Sequence, residues 1–192
     1  MKWVARNYGS LGANPKAGFV IGGASAGGNI AAILAHLARD EKLEPPLTGQ
    51  YLCVPAVMPP ISVPEKYKAE YISPRENVND PVLQLSPGDD PYEGLQKILK
   101  MDLTSPLFNP SASPSGHQNL PRAFFQVCGM DPLRDEGLCY EKLLREDSGV
   151  ETKLLIYPGF SHMFWTNYPQ LEKSTEFVKD TLEGIRWLLA SA

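Results

Sequence analysis

The sequence predicts an α/β fold in which a parallel sheet lies between two layers of helices, and three observations carry the prediction. Short apolar runs alternate along the chain with stretches whose apolar residues recur at helical spacing. One such run breaks into Gly-x-Ser-x-Gly at residues 23–27 and then into an Ala/Ile/Leu-rich helical pattern. Ser25, Asp131 and His162 each fall just beyond the C-terminal end of a run that reads as a strand. Strands separated by helices pair in parallel through crossovers that cover both faces of the sheet. Reactive groups then collect at the C-terminal ends of the strands. With 192 residues, 43% of them hydrophobic, the chain is long enough to bury a core, and residues 1–192 are expected to form one domain.

Trp3, Val4, Asn7, Tyr8 and Leu11 recur at helical spacing ahead of Gly12 and Pro15, which predicts a short amphipathic opening helix. Residues 17–22 read as a strand running into the glycine-rich turn. Beyond the turn, Ile30, Ile33, Leu34, Leu37 and Ala38 repeat at helical spacing, and Glu44-Pro45-Pro46 closes the helix. Residues 49–55 form a second short apolar strand. From about residue 58 to residue 116 the character changes, with many of the 18 prolines, scattered Tyr67, Tyr71 and Tyr92, and one clear helical stretch over residues 92–101. This segment is expected to be a cap-like insertion. A strand over residues 123–128 follows, then Gly129-Met130-Asp131 and a helix holding Leu138, Leu143 and Leu144. The final unit is a strand over residues 153–157, a loop over 158–164 that carries His162, and a helix over 177–189 with Val178, Leu182, Ile185 and Leu189 on one face.

The formal net charge of -4, without a cluster of Lys or Arg, gives no footprint for a nucleic acid or an anionic membrane. Residues 1–8 lack the apolar core of a signal peptide, and no stretch approaches the roughly 20 apolar residues of a membrane span. A soluble cytoplasmic protein is expected. Cys53, Cys128 and Cys139 are odd in number and lack Cys-x-x-Cys spacing, so they read as reduced packing residues. His36, His117 and His162 stand far apart in sequence without paired-ligand spacing, so neither a metal nor another cofactor is expected.

The motif at residues 23–27 has the form of a nucleophile elbow. Small residues at Gly23 and Gly27 let strand and helix approach, and the Ser25 hydroxyl then stands exposed above the sheet edge. Each polar residue also has an ordinary reading. Ser25 and Asp131 could cap helices, and His162 could simply pack in the aromatic loop Phe160-Ser161-His162-Met163-Phe164-Trp165. The chain order Ser…Asp…His, combined with placement at three strand ends, favours a catalytic set.

Residues 22–29, the stretch Gly129-Met130-Asp131-Pro132-Leu133-Arg134-Asp135-Glu136 and the stretch Gly159-Phe160-Ser161-His162 together resemble the hormone-sensitive-lipase-like esterases, the α/β-hydrolase group 3, in a fungal-type form. The likeness spans nearly the whole chain. It implies an α/β-hydrolase-like three-layer sandwich with Ser25 as nucleophile, His162 as general base and acid, and Asp131 as the residue that orients the imidazole. Asp135 is the competing carboxylate, one helical turn into the next element. Ala24 stands where many relatives have aspartate, outside the triad chemistry. The resemblance also implies the Ala26 backbone N–H as an oxyanion donor. Such esterases have four strands, the first part of a cap and a His-Gly-Gly-type loop before the elbow. This chain begins with the helix before the elbow and contains no His-Gly-Gly, so it is expected to lack those N-terminal strands. The strand at 17–22 would then present an open edge, and a homodimer or a partner chain paired across it is expected.

The activity implied is hydrolysis of short- to medium-chain acyl esters through an acyl-serine intermediate. Tyr67, Tyr71 and Phe160, with Tyr92 and Phe108, are candidate walls for the small-molecule ester, ordinary packing being the other reading. Two other functions fit the same residues. One is a catalytically impaired hydrolase-like protein that binds a small molecule or scaffolds a partner, and the other is an acyltransferase of a biosynthetic pathway.

Overall fold

The run Arg-Ala-Phe-Phe-Gln-Val-Cys is too apolar to leave either face in water, and it forms a central strand buried almost throughout. In the computed structural model, which describes residues 1–84 and 92–190, the regular elements are α1 (Lys2–Asn7), β1 (Val20–Ala24), α2 (Ala26–Asp40), β2 (Gly49–Cys53), α3 (Ser73–Glu76), α4 (Glu93–Leu99), β3 (Arg122–Cys128), α5 (Arg134–Lys142), β4 (Thr152–Tyr157), α6 (Phe164–Asn167) and α7 (Glu172–Leu189). The expected insertion includes residues 85–91, which lie outside the described residues. The four strands pair in the order β1-β2-β3-β4, all parallel. Ala24 lies opposite Cys53, Cys53 opposite Gln126, and Gln126 opposite Leu155, so the loops leaving β1, β3 and β4 rise from one end of the sheet.

Side chains alternate across β3, and each set meets a different layer. Phe125 and Val127 pack with Ala31, Ala32 and Ala35 of α2 and with Cys139 and Tyr140 of α5. On the opposite face, Gln126 donates a hydrogen bond to the carbonyl of Phe177 in α7, and Cys128 packs with Phe177 and Tyr157. Full burial of Phe124 and Phe125 stabilises the fold by about 2 to 3 kcal/mol for each ring. Helix α7 approaches Phe124 because position 184 is glycine; a Cβ there would lie 1.9 Å from the ring. Among the described residues, no helix is long and apolar enough to cross a membrane.

Four expectations shift. β1 starts at Val20 rather than at residue 17, because Pro15–Ala17 closes a 3-10 turn and Gly18 follows with φ 124°. The opening helix ends at Asn7, and its apolar residues Trp3, Val4 and Tyr8 are exposed while Ala5 is buried. In α2 the sheet is met by small residues, with Ile30 left 56% exposed. In α7 the buried row is Phe177, Gly184 and Leu188, which turns Val178 and Leu182 outward. In α2 and α7 the periodicity marks a helix, but close packing on the sheet selects the narrower row of side chains.

Candidate active site

The turn between β1 and α2 holds Ser25 at φ 55° and ψ -119°, a conformation that an L-residue adopts only under constraint. The constraint is visible in the neighbours. The Ser25 N–H donates to Cys53 O at 2.9 Å, and a Cβ at Gly23 would lie 2.4 Å from the Gly27 carbonyl carbon. Gly23 is therefore needed for strand and helix to touch. A Cβ at Gly27 would meet open space, so that glycine contributes its backbone as the surface Gly23 packs on. The helix position where a side chain would collide is Gly28, whose Cβ would stand 2.9 Å from Pro55 Cβ, a requirement the motif reading missed. The Ser25 hydroxyl makes no capping bond to α2, and Ala26 opens the helix with its amide among the first-turn donors that have no intrahelical acceptor.

That hydroxyl instead meets a histidine. His162 Nε2 lies 3.0 Å from Ser25 Oγ, and His162 Nδ1 lies 2.7 Å from Asp131 Oδ2. A proton on Nδ1 donates to the carboxylate and leaves Nε2 free to accept the serine proton. His162 and Asp131 are almost wholly buried. Burial raises the Asp131 carboxyl above the ordinary range, opposed by the bonds it accepts from His162 and from the Leu133 N–H at 2.8 Å. Asp131 thus both ties down its own turn and reaches the imidazole. Asp135 faces away: its Oδ2 accepts the Ile72 and Ser73 amides and its Oδ1 accepts from Arg134.

Of the candidate wall residues, Phe160 lies two positions from His162 and packs on Phe164, ring centroids 4.3 Å apart and planes tilted by 37°. Tyr67 packs in the larger core cluster and turns its hydroxyl to Asp147, while Tyr71 donates to Met58 O. Tyr92 donates to a buried carboxylate the sequence reading did not single out, Glu136, which also accepts the Met58 N–H at 2.9 Å. Phe108 meets the Tyr92 ring edge to face. A cavity of about 860 Å³ lined by Arg6, Tyr8, Asn14, Lys16, Pro45 and Thr48 lies at the strands' N-terminal ends, opposite Ser25, and neither Ser25, Asp131 nor His162 lines it. His36 and His117, distant in sequence, meet at 3.0 Å between ring nitrogens, and each is thereby committed to the other. Among the described residues no group of three His, Cys, Asp or Glu could hold a metal ion. Burial pushes the Cys53 thiol up to about 12, which makes it inert at neutral pH.

Glu136 yields a stability prediction. Burial pushes its carboxyl up to about 7, so the folded state holds a proton that the unfolded chain releases near 4.5. Its stability contribution is complete below about 4.5 and is lost as pH rises through about 7. The loss amounts to about 3 kcal/mol at pH 8 and to about 1 kcal/mol or less at pH 5. Glu136→Gln keeps the shape without the charge. Its melting temperature is expected to rise by several degrees relative to the parent at pH 8 and to change little at pH 5. Equal shifts at both pH values would show that ionisation of Glu136 is not the cause.

Residues 1–166 match the family described as the alpha/beta hydrolase fold. An AB hydrolase superfamily protein of Schizosaccharomyces pombe is 47% identical over 189 residues, covering 98% of this chain and 54% of that protein. The versiconal hemiacetal acetate esterase of Dothistroma septosporum is 36% identical over 191 residues, 98% of this chain and 56% of that one. Among solved structures, vibralactone cyclase superposes with a TM-score of 0.89 at 41% identity, covering 99% of this chain and 55% of that chain. An esterase of Pyrobaculum calidifontis superposes with a TM-score of 0.74 at 32% identity over 97% of this chain and 57% of that one. The chain spans about half the length of the relatives it matches.

Proposed function

We propose that this chain, which belongs to the α/β-hydrolase fold family, is a serine carboxylic-ester hydrolase acting on short- to medium-chain acyl esters. The observation that carries the reading is the unbroken relay from Asp131 through His162 to Ser25, at 2.7 and 3.0 Å, on a strained elbow. Ser25 Oγ attacks the ester carbonyl while His162 Nε2 takes its proton. The Ala26 N–H donates to the developing oxyanion, and the imidazolium, held by Asp131, returns the proton to the departing alkoxide. Water, deprotonated by the same imidazole, then releases the acid from the acyl-serine. Phe160, beside His162, is assigned to the wall of the acyl site. Relatives named as esterases support the substrate class. The test is turnover of p-nitrophenyl acetate and butyrate by the chain and by its Ser25→Ala form, and equal rates from the two folded proteins would overturn the reading.

A relative named a cyclase favours one second reading, in which the same acyl-serine passes its acyl group to an acceptor other than water. The two are distinguished by whether free acid or a new ester accumulates. The reduced, buried thiols support a cytoplasmic location.

Association completes the proposal. Among the described residues β1 pairs with β2 alone; Val178, Leu182 and Leu189 of α7 are half-exposed at helical spacing, and Leu189 lies beside Gly18, just ahead of β1. An open parallel edge next to an apolar row supports pairing of two copies across β1. A dimer at micromolar concentration is the expected result of size-exclusion chromatography with light scattering, and a well-folded monomer would count against it.

A further inference from the structure

One buried carboxylate beside the relay has no part in the chemistry above. Asp80 belongs to the insertion, 82 residues before His162, and is only 4% exposed. Its two oxygens are divided between two tasks. Oδ1 accepts the Val82 and Leu83 amides at 2.8 and 2.9 Å, which fixes its own turn, and Oδ2 accepts the His162 N–H at 2.7 Å.

We propose that Asp80 is a positioning residue for the catalytic base, holding the His162 backbone so that the imidazole stays between Asp131 and Ser25. The inference rests on reading His162 as the base. The loop needs such a hold, because it is bounded by left-handed residues: Gly159 at φ 77° and Met163, a non-glycine, at φ 56°. The His162 amide is buried, and without Asp80 it would lose its acceptor. The same stretch of the insertion also braces the acid. Asn77 donates to Asp131 O at 3.0 Å, and the Ser73 hydroxyl donates to Pro132 O at 2.8 Å. One segment, residues 73–83, therefore ties the loop after β3 to the loop after β4, and the two loops carry the acid and the base. A displacement of about 1 Å at a relay that depends on bonds of 2.7 and 3.0 Å costs on the order of a hundredfold in rate.

The test compares three variants by steady-state kinetics and by the low-field proton resonance of His162 Nδ1–H. Asp80→Ala is expected to lower kcat about a hundredfold, with KM within about twofold, and to broaden or abolish the low-field resonance. Leu144→Ala, a cavity in the core on α5's side of the sheet, lowers the melting temperature but leaves kcat and the resonance unchanged. Should Asp80→Ala fail to fold, Asp80→Asn is read in the same way, because it keeps the volume while its one oxygen stays with the paired Val82 and Leu83 amides and its NH₂ turns toward the single His162 N–H. An unchanged resonance and a kcat within about threefold of the parent in the Asp80 variant overturn the proposal and leave the esterase reading intact. If the parent itself shows no Ser25-dependent turnover, the esterase reading fails, and the resonance alone decides: its loss in the Asp80 variant sustains the positioning role, and its persistence ends it.

Discussion

Ser25→Ala is expected to lower kcat/KM for p-nitrophenyl butyrate by at least about 10⁴-fold while leaving the fold in place. The size follows from the division of labour at the elbow. On the proposed mechanism the nucleophile and its base act as a unit, so removing the oxygen forfeits the whole covalent route, and what remains comes from the oxyanion donor and binding alone. A 10⁴-fold loss corresponds to about 5.5 kcal/mol of transition-state stabilisation. The fold is spared for three reasons. Serine and alanine both carry a Cβ, so the strain at φ 55° is common to both forms. The Ser25 N–H to Cys53 O bond uses the backbone, which the substitution leaves untouched. The hydroxyl makes no capping bond to α2, so no helix donor is orphaned by its removal. Thermal midpoints within a few degrees, alongside the kinetic loss, are therefore the expected pair of results. A variant that retains more than about a tenth of the parental kcat/KM would mean that another group attacks the ester.

The relay was legible in the sequence because each member sits at a strand end, where the change from an apolar run to glycines and polar residues is a local signal. That signal and their order single out Ser25, Asp131 and His162. A helical turn separates Asp131 from Asp135, and the structure shows where the second carboxylate goes: Asp135 is occupied by the Ile72 and Ser73 amides. What the sequence concealed is long-range. Asp80 meets His162 across 82 residues, and Glu136 meets Tyr92 across 44, so no spacing rule links either pair. The Asp80-Pro81 dipeptide announces a turn and nothing more. Helix faces were concealed for a different reason. Periodicity finds the apolar residues of α2 and α7, but a helix settles on a sheet through the residues that let the backbones approach. These are Ala31, Ala32 and Ala35 in one helix and Gly184 in the other.

Asp131→Asn is expected to lower kcat by about 10⁴-fold with a melting temperature close to that of the parent, and the reason is which proton the imidazole carries. In the parent, both carboxylate oxygens accept: Oδ2 from His162 Nδ1 and Oδ1 from the Leu133 N–H. An asparagine has one oxygen for two donors. If that oxygen keeps Leu133, the amide NH₂ faces Nδ1 and drives the ring proton to Nε2, where it confronts the serine and cannot accept the Ser25 proton. If the oxygen keeps His162, the NH₂ is set against the Leu133 N–H, and Asp131 is fully buried, so no water relieves the clash. The first arrangement strands no donor, and it is the one that stops catalysis. Stability moves the other way. Burial disfavours the Asp131 charge, so a neutral amide sheds a desolvation cost that offsets the lost hydrogen bond. A large loss of kcat without a matching loss of stability is thus the mark of an orienting carboxylate. A kcat within tenfold of the parent would show that the imidazole is held in its working tautomer by other means, and the backbone grip of Asp80 on His162 would then have to account for the orientation alone.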